Sequence, residues 1–387
     1  MTSQTCCQGA ISRPGRPPGP DSTRRYHLSL KQCLPLIFSL LLAIPGLSAD
    51  ADADAPRGTF KGAVDTSHPT WFKESFLDFE EDIADAAANG RRLVLYFFQD
   101  GCPYCNALVE HNFTQPDITK TMREKFDLVA INIWGDREVI QVGGQVFSEK
   151  DLAEALKIQY TPTLLFFNEQ RRVVLRLNGY QPPDTFRTAL EFVHTRKEAT
   201  GSFTHYLEQL GTKSWSQDLI SESFFISPPY DLRPGSNKPL AVFFEQPVCQ
   251  ACEAFHARVL NNPTVRRLIT QYDVVQLGLW AKTPVITPSD DQTTARQWAE
   301  TLAIGFTPTV VLFDVEGREV MRLEASFRTF HTQGILRYVL SGSYRKQPSF
   351  QRYLSAHADH LREQGYDVDI FSYDSPISRN GKLADPE

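Results

Sequence analysis

Leu93-Val94-Leu95-Tyr96-Phe97-Phe98-Gln99-Asp100-Gly101-Cys102-Pro103-Tyr104-Cys105 is an unbroken apolar run, a short polar turn and two cysteines three residues apart. An apolar run of this length reads as a strand buried on both faces. The cysteines then fall at the start of a helix. Pro103 is tolerated there because a first-turn N–H would have no partner. Pro162, 60 residues after Cys102, sits in Tyr160-Thr161-Pro162-Thr163, which leads into the apolar Leu164-Leu165-Phe166-Phe167. The combination recurs. Leu240-Ala241-Val242-Phe243-Phe244 precedes Cys249-Gln250-Ala251-Cys252, and Phe306-Thr307-Pro308-Thr309 leads into Val310-Val311-Leu312-Phe313.

Cys102 and Cys249 are 147 residues apart, and so are Pro116 and Pro263. Asp127 and Asp273, Trp134 and Trp280, and Pro162 and Pro308 are each 146 apart. Ser202-Phe203 and Tyr206-Leu207 recur as Ser349-Phe350 and Tyr353-Leu354, again 147 on. An offset that drifts by one residue marks duplication of a whole domain; solenoid repeats are far shorter. The chain of 387 residues has room for two such cores.

Hydrophobic content of 41% and charged content of 22% are ordinary for globular protein, and a net charge of −6 gives no reason to expect nucleic acid or anionic lipid as a partner. Arg24, Arg25 and Lys31 precede the short apolar stretch Leu34–Leu47. Ala49-Asp50-Ala51 and Ala51-Asp52-Ala53 then offer small-x-small cleavage sites. This reads as a secretory signal at about 24–51, too short to span a membrane. An uncleaved anchor is the alternative. The Pro- and Gly-rich stretch 1–20 is long ahead of such a signal and raises the question of the true start codon. A periplasmic or secreted protein is expected, with no stable membrane insertion after cleavage.

Cleavage would remove Cys6, Cys7 and Cys33, leaving only the two C-x-x-C pairs. A secreted protein that used cysteine for staples would scatter an even set through its loops. The expected organisation is a leader 1–53, a tether 54–69, a first domain 70–210, a partly packed linker 211–237, a second domain 238–374 ending in a helix, and a disordered tail 375–387. The apolar spacing of Phe76, Phe79, Ile83 and Ala87 predicts a helix over 71–88 that Gly90 stops.

The chemistry follows from the helix start. A thiolate, not a thiol, attacks a disulfide. Unpaired N–H groups and the dipole at a helix N-terminus lower a cysteine pKa from about 8.5 to as little as about 3.5–7.5. Cys102 and Cys249 are the attacking candidates. Cys105 and Cys252, one turn on, are the resolving ones. A Pro at the mouth of a strand facing the pair can be cis. It would turn the backbone of Thr161 or Thr307 outward to meet an extended client. Thr161, Pro162, Thr307 and Pro308 are therefore the expected client-binding residues. No metal ligand set is apparent, since four thiolates on two helix starts would not converge on one zinc. His111 and His256 read as surface helix residues, and Trp134 and Trp280 as core aromatics.

A C-x-x-C after a buried strand, with Thr-Pro about 60 residues later, resembles the thioredoxin-like proteins over 71–353. The first repeat, through Phe97–Cys105 and Tyr160–Thr163, looks like the exported branch associated with bacterial sulfur oxidation. Gly101–Cys105 is also similar to periplasmic disulfide isomerases. The resemblance implies an α/β fold of two tandem domains, each a mixed central sheet flanked by helices. It implies thiol–disulfide exchange by Cys102 and Cys105 beside a cis Pro162, and carries over with less force to Cys249, Cys252 and Pro308. No cofactor is expected beyond redox-active disulfides. The expected partners are protein or peptide disulfide or thiol clients and a membrane or periplasmic electron donor or acceptor. Reductase is slightly favoured over oxidase and isomerase. The alternative is a peptide-binding or chaperone-like protein with one or both sites redox-inactive. Many thioredoxins place a buried Asp six residues before the first Cys, where this chain has Tyr96 and Phe243. The proton must then pass to water or another group, and Asp100 and Glu245 read as solvated.

Overall fold

A computed structural model describes residues 56–211, 218–324 and 327–386; the expected leader and signal lie outside them. Each repeat builds one four-stranded mixed sheet. In the first, the strands run in the order Phe126–Asn132, Arg92–Phe98, Thr163–Phe167, Val173–Asn178; only the first pair is parallel. In the second, Asp273–Gly278, Leu240–Glu245, Thr309–Phe313 and Glu319–Leu323 repeat that order and those directions. The register repeats too: Tyr96 lies opposite Leu164, and Phe243 opposite Val310. The central strands are buried on both faces, as their continuous apolar runs require. Helices cover both sides, so each repeat has two core clusters, one per face of its sheet.

The helices start where side chains cap them. Asp78 accepts from Glu80 N and Glu81 N ahead of helix Phe79–Ala88, and Ser148 accepts from Asp151 N ahead of Glu149–Ala155. The first of these helices begins later than the spacing predicts. Phe76, expected on its apolar face, is 98% exposed, and Leu77 enters the core instead with φ at 66°.

The repeats trade residues. Tyr160, on the first repeat's Thr-Pro loop, belongs to the second repeat's core, and Phe306, its counterpart, packs on the first repeat's core. Helix Phe350–Glu363 of the second repeat presents Phe350 to Tyr160 at 5.8 Å between ring centroids. Helix Phe203–Leu210 of the first presents Phe203 to Phe306 at 5.7 Å. Burying such a ring stabilises the contact by about 1.5–3 kcal/mol. Hydrogen bonds follow the same exchange: Gln351 Nε2 donates to Gln159 O, and its counterpart Thr204 Oγ1 donates to Ile304 O. Where the edge strands end, Asn178 donates to Glu324, its own equivalent in the other repeat. The two halves therefore meet about a pseudo-two-fold axis.

The two ends of the described chain break this symmetry, and both differ from the sequence expectation. The tether is not free. Phe60–Lys61 pairs in parallel with Asp367–Asp369, and Gly58 N donates to Arg362 O. A Cβ on Gly58 would stand 1.8 Å from the Tyr366 carbonyl oxygen. His68 packs among Phe72, Tyr96 and Phe98. The tail is not disordered either. Ile377–Arg379 and Lys382–Leu383 complete that four-stranded sheet, Ile377 is buried, and Asp385 forms ion pairs with Arg267 and Arg337. Their polar composition hides this order, because backbone pairing and one buried Ile suffice to hold such short strands. In the linker, Tyr230–Asp231 pairs with Val285–Ile286 and Phe225 bridges to Val274.

Candidate active sites

Each cysteine pair stands where its apolar strand hands over to a helix. Cys102 caps helix Pro103–Ala107, its Sγ accepting from Cys105 N at 3.0 Å. Cys249 caps helix Gln250–Phe255 in the same way, Sγ to Cys252 N again 3.0 Å. Both helices run on into a π-helical turn, Leu108–Asn112 and His256–Leu260. Each pair forms a disulfide, with Cα–Cα separations of 5.3 Å and 5.1 Å.

The Thr-Pro loops meet these pairs. The Thr161–Pro162 and Thr307–Pro308 peptide bonds are cis. Thr161 Oγ1 donates to Cys102 Sγ at 3.4 Å, and the Thr161 carbonyl oxygen lies 3.5 Å from the same sulfur. Cys249 Sγ is 3.6 Å from the Thr307 hydroxyl and 3.7 Å from its carbonyl oxygen. All eight residues singled out by the sequence thus gather into two equivalent constellations. Among the described residues, no group of three or more His, Cys, Asp or Glu side chains is placed to hold a metal ion, and no helix is long and apolar enough to cross a membrane.

The surroundings of the two sites differ. At the second, Val248 beside Cys249 is 72% exposed, Gln250 is exposed, and Ala251 and Thr307 are half-buried. At the first, Pro103, Tyr104, Thr161 and Pro162 are all buried. What covers them comes mainly from the other repeat. A narrow cavity of about 30 Å³ beside Cys102 is lined by Tyr104, Tyr160, Phe327, His331, Gln351 and Ile370, among others, and borders a wider open pocket of about 320 Å³ that shares Gly101, His331, Gln351 and Ile370 with it. The narrow cavity has room for about one water molecule.

The Tyr104 ring is enclosed by Phe327, His331 and Phe371, with centroids 6.2, 5.0 and 5.3 Å away. Its oxygen accepts from Arg328 N at 2.9 Å and lies 3.4 Å from His331 Nδ1, which leaves the hydroxyl proton for the imidazole. His331 also bonds to the Ile370 backbone. Burial pushes the Tyr104 pKa up and that of His331 down to about 4, so both are neutral near pH 7. The sequence gives no hint of this cover, because Tyr104 and His331 are 227 residues apart.

A second buried group was missed for a different reason. Glu245, read from sequence as solvated, is 1% exposed, and His256, read as a surface residue, is buried against it. Glu245 Oε1 meets His256 Nε2 at 2.9 Å, and Gln276 donates to its Oε2. Glu222 takes the other imidazole nitrogen at 3.2 Å and binds Arg266 through its Oε2. Burial opposes the imidazolium, yet the Glu245 and Glu222 carboxylates hold the His256 pKa above its ordinary value. The signal was the strand itself: in Leu240–Glu245 the glutamate takes the place that Phe98 fills in the first repeat. Asp100, by contrast, is exposed as expected.

A thioredoxin-like domain family model matches residues 79–194 and again 232–339, together more than half of the sequence. The chain belongs to the thioredoxin-like domain family. It carries two such domains in tandem, each a mixed sheet between helices with a C-x-x-C pair at the start of a helix. Among solved structures it is similar to a thioredoxin-fold protein from Helicobacter pylori, at 17% identity over 36% of this chain and 93% of that one, with a TM-score of 0.31. It is similar to the oxidised C-terminal domain of DsbD from Neisseria meningitidis, at 16% identity over 30% and 92%, with a TM-score of 0.23. It is also similar to the first two thioredoxin domains of Saccharomyces cerevisiae Eps1p, at 13% identity over 67% and 96%, with a TM-score of 0.22. Comparison with curated protein sequences returned no match.

Proposed function

We propose that this protein is an exported thiol–disulfide oxidoreductase, with a bias towards reduction, that meets its protein or peptide clients at the second thioredoxin-like domain. The observation that carries this reading is the Cys249–Cys252 disulfide at a helix start, beside a half-buried Thr307 and an exposed Val248. An electron-donating dithiol first reduces the pair. The Cys249 thiolate, stabilised by the Cys252 N–H and the helix start, then attacks a client disulfide. One client sulfur leaves as a thiolate and takes a proton from water. The Cys252 thiol, once deprotonated, attacks Cys249 Sγ in the mixed disulfide. The second client thiolate leaves, and Cys249–Cys252 is re-formed. The client gains two electrons, and the protein loses two.

Thr307 and Pro308 are assigned to client binding, the Thr307 backbone facing an extended segment and Val248 offering it apolar contact. Cys102, Cys105, Thr161 and Pro162 form the equivalent machinery in the first domain, enclosed as described. The apolar leader at about 24–51 and the likeness of Phe97–Cys105 to exported sulfur-oxidation thioredoxins support export and the reductive bias.

Insulin reduction followed by turbidity, with dithiothreitol as donor, tests the assignment. Cys249→Ser is expected to lose at least 90% of the rate, and Cys102→Ser less than half. A Cys249→Ser variant that keeps the wild-type rate would remove the second domain from the role of client-facing site.

A further inference from the structure

The first cysteine pair has every part of the second and a heavier cover: Cys102 and Cys249 are both buried, but Pro103, Tyr104 and Thr161 are buried where Gln250 is exposed and Ala251 and Thr307 are half-buried. Its cover has three layers, all from the second half of the chain. Phe327, Arg328 and His331 come from the start of helix Thr329–Leu340. Gln351 comes from helix Phe350–Glu363 and donates to Gln159 O on the Thr-Pro loop. Ile370 and Phe371 come from the chain that follows strand Asp367–Asp369.

The last layer is held in place from outside. The Arg328 guanidinium lies 3.7 Å over the Phe371 ring and 4.2 Å over the Tyr373 ring. Arg258, on the π-helical turn that continues the second site's helix, lies 3.8 Å over the other partner, Tyr373. Thr329 Oγ1 donates to Tyr373 O. Phe60–Lys61 fastens the preceding strand.

We infer that residues 366–373, with His331 and Arg328, form a lid that sets the client range of the first site, excluding protein dithiols from Cys102 while the second site stays open to them. A protein reductant must bring its own thiolate to Cys102 Sγ in line with the Cys102–Cys105 bond. The Cys105 thiolate then leaves. The reductant's second thiol attacks the mixed disulfide and releases Cys102 as a thiolate, so that the reductant becomes a disulfide and the site a dithiol. A folded reductant must bring its bulk past Phe327, His331, Gln351 and Ile370 to reach Cys102, whereas a small dithiol can enter through the narrow cavity they line.

This inference rests on the oxidoreductase reading above, and the test separates the two. Full chains retaining one pair each are compared, Cys249→Ser/Cys252→Ser for the first site and Cys102→Ser/Cys105→Ser for the second. Each is reduced with dithiothreitol or with a reduced bacterial thioredoxin, and free thiols are counted by maleimide labelling and mass spectrometry. The ratio of the dithiothreitol rate to the thioredoxin rate is expected to be at least 100-fold larger at the first site than at the second. Phe371→Ala is expected to raise thioredoxin's rate at the first site at least tenfold and leave its rate at the second unchanged. The second-site rate also reports folding; should Phe371→Ala abolish it, Arg328→Ala, which removes only the stacked guanidinium, gives the same reading. Equal ratios at the two sites, or a ratio that loosening the lid does not move, would overturn the lid alone. Failure of dithiothreitol to reduce either pair would overturn the oxidoreductase reading and the lid with it.

Discussion

Acid should open the first site, and His331 sets by how much. In the closed state burial holds its pKa down to about 4. Tyr104 from the first domain, Arg328 on its own helix and the Ile370 backbone face it. Released to water, the imidazole returns to an ordinary value of about 6.5. A depressed pKa means that the open state binds more protons. The closed state therefore keeps its full advantage above about pH 6.5 and loses it as pH falls towards 4. For these two values proton linkage favours opening by about 30-fold at pH 5 and by only about 1.3-fold at pH 7. The difference is about 20-fold, or about 1.8 kcal/mol. The assay is reduction of the single-pair chains by thioredoxin at pH 7, 6 and 5. The first-site rate is divided by the second-site rate so that the reductant's own thiolate fraction cancels. The quotient should rise about 20-fold from pH 7 to 5, with most of the rise below pH 6.5. His331→Gln, which cannot titrate, should flatten it. A flat quotient in the parent chain, or a rise that survives His331→Gln, would refute the reasoning.

Glu245→Ala removes one of the two carboxylates that hold the buried His256 and should cost about 3–5 kcal/mol, read as a drop in the urea midpoint. Glu245→Gln, which can still hydrogen-bond, should cost less. Tyr160→Phe deletes the hydroxyl that donates to Arg322 O across the pseudo-two-fold and should cost about 1 kcal/mol by the same assay. Gly58→Ala drives a Cβ into the Tyr366 carbonyl and should cost about 1–3 kcal/mol. Amide hydrogen exchange should show it first as lost protection at Phe60–Lys61 and Asp367–Asp369.

Within each repeat, sequence and structure agree closely, because the determinants are local. Unbroken apolar runs made Arg92–Phe98 and Leu240–Glu245 central strands. Ser148, Cys102 and Cys249 sit at the helix starts where their types belong. Equal offsets gave equal folds. Between repeats the sequence is silent. Tyr160 looks like any residue before a Thr-Pro, and only the assembled chain shows that it fills the other half's core. The same blindness hides the different surroundings of the two sites, where residues of the second repeat cover Tyr104 and Thr161 beside Cys102 while Gln250 and Val248 beside Cys249 are exposed. The chain ends were misread because two- and three-residue strands carry no periodicity, and the partner of Phe60–Lys61 lies some 300 residues away. Glu245 was legible in principle, as a carboxylate in a strand whose equivalent position is Phe98.

The pairing of Asn178 with Glu324 has a consequence for how the two sites are free to differ. Two identical subunits related by a two-fold axis would have to carry every feature twice, and a chain end that covered one active centre would cover its mate. Joining the halves head to tail lifts that constraint, since a fused pair has a single C-terminus to fold back. The link also keeps the halves at a fixed effective concentration, so their association survives dilution that would separate free subunits. Covalent fusion thus lets one centre be covered more heavily than the other within a single folded body, an asymmetry that exact two-fold symmetry between identical chains would not allow.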